Sequence, residues 1–170
     1  MMPQKHTIQK GNWIKIFDYD FSKKDYFTVI TDKYIVKLTG GSLIILDKRT
    51  NEELKRITGY NYLYTGDVKP DETELFALEN GKHFYIISLK DFTQKLRVTL
   101  PRFYESIDVY GEFSADGKFL YVPVQKCVDN EYRYWLCEYE TETYSLTSMK
   151  RIEESKVTRW PYDLGHYNLS

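Results

Sequence analysis

The chain has 170 residues, with 24 Lys plus Arg against 25 Asp plus Glu and a formal net charge of -1. This length builds one domain with a core of its own, and the charge balance leaves no electrostatic footprint for nucleic acid or an anionic membrane. Aromatic residues make up 16% of the chain and Tyr alone occurs 16 times; flat, half-buried rings pack well on a pleated surface, so an all-β domain is expected.

The first residues, Met1-Met2-Pro3-Gln4-Lys5-His6-Thr7-Ile8-Gln9-Lys10, hold no apolar stretch of the kind a secretory signal requires. Nowhere does the chain approach the roughly 20 apolar residues that span a bilayer, and a cytoplasmic protein is expected. Within an N-terminal segment, 1–24, Trp13-Ile14-Lys15-Ile16-Phe17 reads as one extra strand. The run Asp18-Tyr19-Asp20-Phe21-Ser22 opens like a calcium loop, but Lys23 stands where a Gly is needed and Val29 where a bidentate Glu is needed. It reads as an acidic strand end, and no metal or cofactor is expected.

From there a strand-turn-strand unit repeats. The first copy, 25–58, has strands at Asp25–Ile30, Tyr34–Leu38, Leu43–Asp47 and Glu53–Ile57, with Gly40-Gly41 expected to supply the positive φ of a two-residue hairpin. The second, 60–100, has strands at Tyr62–Val68, Glu74–Leu78, His83–Leu89 and Lys95–Leu100, and Asn80-Gly81 takes the place of the glycine pair. The third, 104–152, has strands at Ser106–Phe113, Lys118–Val124, Tyr132–Tyr139 and Tyr144–Ile152, with a longer connection through Asp129-Asn130. Val68-Lys69-Pro70-Asp71-Glu72-Thr73-Glu74-Leu75 aligns with Phe113-Ser114-Ala115-Asp116-Gly117-Lys118-Phe119-Leu120. A repeat of this length means stacked small sheets.

The third strand of each copy, at Leu43-Ile44-Ile45-Leu46, Phe84-Tyr85-Ile86-Ile87 and Tyr134-Trp135-Leu136-Cys137, does not alternate polar with apolar. Such a strand is covered on both faces, as happens when each sheet lies between two others. Phe113-Ser114-Ala115-Asp116-Gly117-Lys118-Phe119-Leu120-Tyr121-Val122 and Leu43-Ile44-Ile45-Leu46-Asp47-Lys48-Arg49-Thr50-Asn51-Glu52-Glu53-Leu54 resemble the blade segments of β-propellers. The resemblance is to WD-repeat, YVTN and quinoprotein-dehydrogenase-like repeats, and it covers roughly residues 25–152. It implies antiparallel four-stranded blades and a partial propeller, but no activity. The Gly-His and Trp-Asp pairs of WD repeats proper are absent, the latter replaced by Leu46-Asp47, Ile87-Ser88 and Cys137-Glu138, so no functional residue carries over.

Propellers have about four to eight blades, and an arc of fewer leaves its end sheets with large exposed apolar faces unless a longer chain, a second copy or the chain's own ends cover them. Candidate chemistry is sparse. Cys127 and Cys137 face Tyr132 and Val122 if Asp129-Asn130 turns their hairpin, so both are expected as free thiols packed like small apolar groups. Glu138, Glu140 and Glu142, at period two, read as protection of an exposed sheet edge. His6, His83 and His166 have no metal-ligand spacing, and Gly40-Gly41-Ser42 lacks the trailing Gly of a nucleophile elbow.

The tail, 153–170, carries Arg159, Trp160 and Tyr162, residue types that dominate binding surfaces, and these are the candidate partner-binding residues. The expected function is a non-enzymatic propeller-type scaffold for a protein or peptide partner, or one whose self-association completes a ring, with no nucleic-acid or membrane partner. The alternative is part of an enzyme, or of a sugar- or quinone-handling propeller, with its site on the central axis.

Overall fold

The structure, a computed structural model, describes residues 5–10, 13–18, 27–107 and 111–153. Among the described residues every regular element is a strand: β1 (Lys5–Lys10), β2 (Trp13–Asp18), β3 (Phe27–Ile30), β4 (Tyr34–Thr39), β5 (Ser42–Asp47), β6 (Glu53–Thr58), β7 (Leu63–Val68), β8 (Glu74–Glu79), β9 (His83–Ser88), β10 (Gln94–Thr99), β11 (Glu105–Ser106), β12 (Glu112–Phe113), β13 (Phe119–Val128), β14 (Glu131–Glu140) and β15 (Leu146–Ile152). They form three antiparallel sheets, ordered β1 to β6, β10-β9-β8-β7 and β11-β13-β14-β15, with β12 also on β13. The fold is all-β, built from blade-like sheets as expected. The first sheet is wider than a blade because both β1 and β2 extend it, Lys15 lying opposite Val29.

The repeat is visible in equivalent hydrogen bonds. Thr31 N–H donates to the Tyr34 carbonyl at 2.9 Å, Lys69 to Glu74 at 2.9 Å and Ser114 to Phe119 at 2.8 Å, closing the same turn in each sheet. Lys48 to Lys33 at 3.0 Å, Leu89 to Thr73 at 2.8 Å and Thr141 to Lys118 at 3.0 Å join the third strand to that turn. In the next turn, Asn51, Phe92 and Tyr144 occupy the same position and all take left-handed φ, at 63°, 58° and 59°. Only Asn suits that conformation intrinsically. Phe92 and Tyr144 instead reach the preceding sheet, where Phe92 packs edge-on to Tyr34 at 6.0 Å and the Tyr144 hydroxyl donates to Glu74 Oε1 at 2.9 Å.

The sheets stack face to face. Phe27, Val29, Val36, Leu38, Leu43 and Ile45 of the first sheet form one core with Leu63, Val68, Leu75, Ala77, Tyr85 and Ile87 of the second. The second sheet's other face, Phe76, Leu78, Phe84 and Ile86, packs on Phe113, Leu120, Val122, Val124, Cys137 and Tyr139 of the third. Phe84–Ile87 of β9 are therefore buried on both faces, which explains their missing alternation, and every position of β8 is buried as well. Between the sheets, the Lys15 ammonium lies 2.6 Å from Asp67 Oδ1, both side chains fully out of solvent. Asp67 Oδ2 accepts the Phe113 N–H at 2.8 Å, so one carboxylate joins β2, β7 and β12.

Several expectations are corrected. Gly40 and Gly41 are not among the residues at positive φ; their carbonyls instead accept N–H bonds from Leu63 at 2.7 Å and Tyr60 at 3.1 Å, so the turn binds the passage to the next sheet. The connection at Asp129-Asn130 is not long: both residues take left-handed φ, 53° and 63°, in a tight turn, and the flanking strands are long instead. The expected strand Ser106–Phe113 is seen as the two short pairings β11 and β12, with 108–110 outside the described residues. Glu138 and Glu140 lie on β14, an interior strand, so they protect no edge; the Glu140 carboxylate accepts the N–H groups of Glu142 at 2.8 Å and Thr143 at 3.0 Å. Nor are the end sheets bare: Ile14, Ile16, Ile30, Ile35 and Leu46 on the outer face of the first sheet are half-buried, and Pro123 and Leu136 on that of the third are buried.

Gly66 sits where the first two sheets meet, and a Cβ there would lie 2.3 Å from the Phe76 carbonyl oxygen and 2.9 Å from Leu38 Cδ1. Backbone cannot yield as a side-chain tip can, so Gly66→Ala is expected to lower stability by about 3 kcal/mol in urea unfolding; an unchanged midpoint would contradict this packing. The turn acids give a second expectation. Thr50 and Arg49 N–H bonds hold the Asp47 carboxyl below its ordinary range, the Thr93 side chain that of Asp91, the Lys118 N–H that of Asp116 and the Thr143 side chain that of Glu140. Depressed folded values contribute stability above the unfolded carboxylate range, near 4, that is lost as pH falls through the folded values. Tm is therefore expected to hold from neutral pH to about 5 and to drop below about 4, and Asp47→Asn with Asp91→Asn and Asp116→Asn to flatten that drop.

Candidate functional site

The turn at Asp129-Asn130 allows β13 and β14 to run ten residues each, where β4, β5, β8 and β9 have six. Their register places Lys126 opposite Arg133 and Cys127 opposite Tyr132, and β15 adds Arg151 opposite Trp135. Because side chains alternate along a strand, Lys126, Arg133, Trp135 and Arg151 share one face, while Tyr132 lies on the other.

The passage from the second sheet to the third runs beside that face. Tyr104 N–H donates to the Pro101 carbonyl at 3.0 Å, closing a tight turn, and Gln125 Nε2 donates to Glu105 Oε1 at 3.0 Å, fixing the loop to β13. Phe103 has φ of 74° and is 67% exposed. Its ring carries the Arg102 guanidinium at 4.7 Å and the Lys126 ammonium at 5.7 Å, and Lys126 also lies 5.4 Å from the Tyr104 ring. Tyr104 meets Trp135 edge-on at 5.0 Å, and Arg151 lies 6.0 Å over the Trp135 ring. A cleft of about 600 Å³ opens alongside, lined by Tyr132, Arg133, Tyr134, Arg151 and Ile152 among others. Cations above exposed aromatic faces gain about 0.5–1 kcal/mol each, and Trp, Tyr and Arg are the residues that dominate binding energies.

One feature sets this surface apart: like charges directly opposite on neighbouring strands repel, so the Lys126 and Arg133 pair works against the sheet. Among the described residues, none of Arg102, Lys126, Arg133 and Arg151 has a carboxylate partner. The buried Glu74, by contrast, is matched: it receives Lys95 at 2.8 Å and Tyr144 at 2.9 Å, and burial together with Glu74 pushes the Tyr144 hydroxyl well above the usual tyrosine range.

The candidates named from the sequence lie apart from this surface or outside view. Arg159, Trp160 and Tyr162 fall outside the described residues, as do Asp20, Ser22 and Lys23. His83 Nδ1 lies 3.3 Å from Thr99 Oγ1, and no cluster of metal-ligating side chains occurs among the described residues. Cys137 is buried, and burial lifts its thiol to about 12, whereas Cys127 is exposed, so only one of the two thiols is packed as expected. The sequence reading missed Phe103, Tyr104, Lys126, Arg133 and Arg151. Their signal was present: the register that sets Cys127 against Tyr132 also sets Lys126 against Arg133.

Neither a family model nor a curated protein matches the sequence. Solved structures share the fold. Hydrazine synthase of Kuenenia stuttgartiensis matches 86% of this chain with a TM-score of 0.56 and 14% identity, over 45% of its own length. The dihydro-heme d1 dehydrogenase NirN matches 88% at a TM-score of 0.57 and 9% identity, over 37% of its length. The β-propeller domain of Myceliophteria thermophila Cps50 (Swd1) matches 88% at a TM-score of 0.61 and 11% identity, over 59% of its length. The chain thus spans well under two thirds of these structures. Its fold is that of a partial β-propeller, of the kind seen in WD-repeat and quinoprotein-like proteins.

The contrast between the thiols is directly measurable. Thiolate is the reactive form, and Cys137 is held protonated in the core. In the folded chain a thiol reagent at pH 8 is expected to label Cys127 and spare Cys137, with both labelled after unfolding; equal labelling in the fold would contradict the described packing of β14.

Proposed function

We propose that the chain is a non-enzymatic propeller-type scaffold that holds a protein or peptide partner at the long hairpin of its third sheet. The observation that carries this reading is the aromatic cluster of exposed Phe103 with half-buried Tyr104 and Trp135, beneath Arg102, Lys126 and Arg151. Among the described residues Phe103, at 67%, is the most exposed of the large apolar side chains, ahead of Tyr132, Leu146 and Leu54. Fixed aromatic rings give contact area at little entropic cost, and the arginines add directional donors.

The tail with Arg159, Trp160 and Tyr162 continues from Glu153, which lines the cleft, and contributes residue types of the same kind. The two unpaired thiols fit a reducing, cytoplasmic setting. An enzymatic reading would need open chemistry where the sheets meet, but Lys15 on β2 and Asp67 on β7 are paired with each other and closed to solvent. Self-association by ring closure is favoured less, because Ile14, Ile16, Ile30, Ile35 and Leu46 on one outer sheet face are half-buried and Pro123 and Leu136 on the other are buried.

A panel of fluorescent peptides of mixed sequence tests the reading. The chain is expected to bind a subset of them, and Phe103→Ala to weaken that binding about tenfold with Tm unchanged, since the ring is exposed. Failure to bind any peptide, or indifference to this variant, would sink the proposal.

A further inference from the structure

We infer that the segment held at the third-sheet hairpin is acidic: a short extended peptide whose carboxylates are taken by Lys126, Arg133 and Arg151 and whose apolar side chains lie on Phe103. This inference rests on the scaffold reading above and names the chemistry of its partner.

The charges carry the argument. Lys126 and Arg133 face each other across β13 and β14, with Cβ atoms about 5 Å apart in such a pair, and no carboxylate within the described residues relieves them. A carboxylate placed between them removes the repulsion and gains two charge-assisted contacts. Arg151 lies opposite Trp135, one pair further along the same face, so a second carboxylate has its own partner. Side chains of an extended peptide alternate on the same period as the strand beneath it, so acidic and apolar groups sort onto the cations and the ring.

A phosphodiester chain is the less favoured occupant. The net charge of the chain is -1, and Glu131 and Glu153 line the same cleft as Arg133 and Arg151, so the positive surface is short and bounded by acids. Nucleic-acid surfaces instead run as broad basic patches or stripes.

Fluorescence anisotropy with the full chain separates the possibilities, using short peptides alternating Glu with Phe, Gln with Phe and Lys with Phe, and a single-stranded oligouridylate. The Glu-Phe peptide is expected to bind at least about tenfold more tightly than the Gln-Phe peptide, with the advantage shrinking as salt is raised. Arg133→Glu is expected to abolish that preference, because it replaces a cation of the site with an anion that repels the peptide carboxylates. Arg133→Gln is expected to reduce the preference without reversing it, and Lys55→Gln with Arg56→Gln, on the distant edge strand β6, to leave it unchanged. Equal binding of the Glu-Phe and Gln-Phe peptides, both lost in Phe103→Ala, would overturn the acidic partner and leave the scaffold reading intact. No binding of any peptide would overturn both, and tighter binding of the oligouridylate would overturn the acidic peptide in favour of nucleic acid.

Discussion

The second sheet is closed on both faces, and the rest of the molecule is arranged around that condition. A sheet alone hides one face at most, yet all six residues of β8 are buried. Polar groups closed off in this way need partners within the fold. Glu79 finds them in its own sheet, the Tyr85 hydroxyl at 3.0 Å and the Asn61 N–H at 2.7 Å, and Glu74 finds Lys95 in its own sheet and Tyr144 from the third. Asp67 on β7 finds Lys15 from the first sheet and the Phe113 N–H from the third. Removing one partner of the buried Lys15–Asp67 pair leaves an uncompensated charge at a cost of about 3–5 kcal/mol, so the contacts that cross between sheets specify which sheet lies against which.

The proposed interaction surface follows from a departure from the repeat. Where the first two sheets turn within six residues, the third continues for ten, and the extension has no sheet to cover its face. The exposed end is free of packing demands. It carries cations and rings in place of aliphatic side chains, and the adjoining loop, tied by Gln125 and Glu105, supplies Phe103.

Much of the fold was legible in the sequence because it is local or periodic. Unbroken apolar runs at Leu43–Leu46 and Phe84–Ile87 announced strands covered on both sides, and Asp129-Asn130 fixed the register that places Cys137 against Val122. What stayed hidden depends on pairing between distant segments. Nothing near Lys15 announces Asp67, and a Lys in an apolar run reads as a solvent-facing position until β7 arrives beside it. Gly40-Gly41 misled because glycine serves close backbone contact as well as positive φ, and here its carbonyls meet Tyr60 and Leu63. The proposed binding surface was obscured for the same reason: its cations are scattered along the chain at Arg102, Lys126, Arg133 and Arg151, and only the folded sheet gathers them.

The left-handed turn residues give the arc a direction. A non-glycine residue in that conformation gives up about 1–2 kcal/mol, and an edge-on ring contact returns about 0.5–1.5 kcal/mol beyond its burial. Phe92 and Tyr144 each spend that strain reaching backward, to Tyr34 and to Glu74, whereas Asn51, in the first sheet, adopts it without an aromatic ring. Each sheet therefore brings its own latch to the sheet made before it. During synthesis from the N-terminus the surface a new sheet grips is already in place when its latch emerges, so the molecule is suited to assemble vectorially, sheet upon sheet.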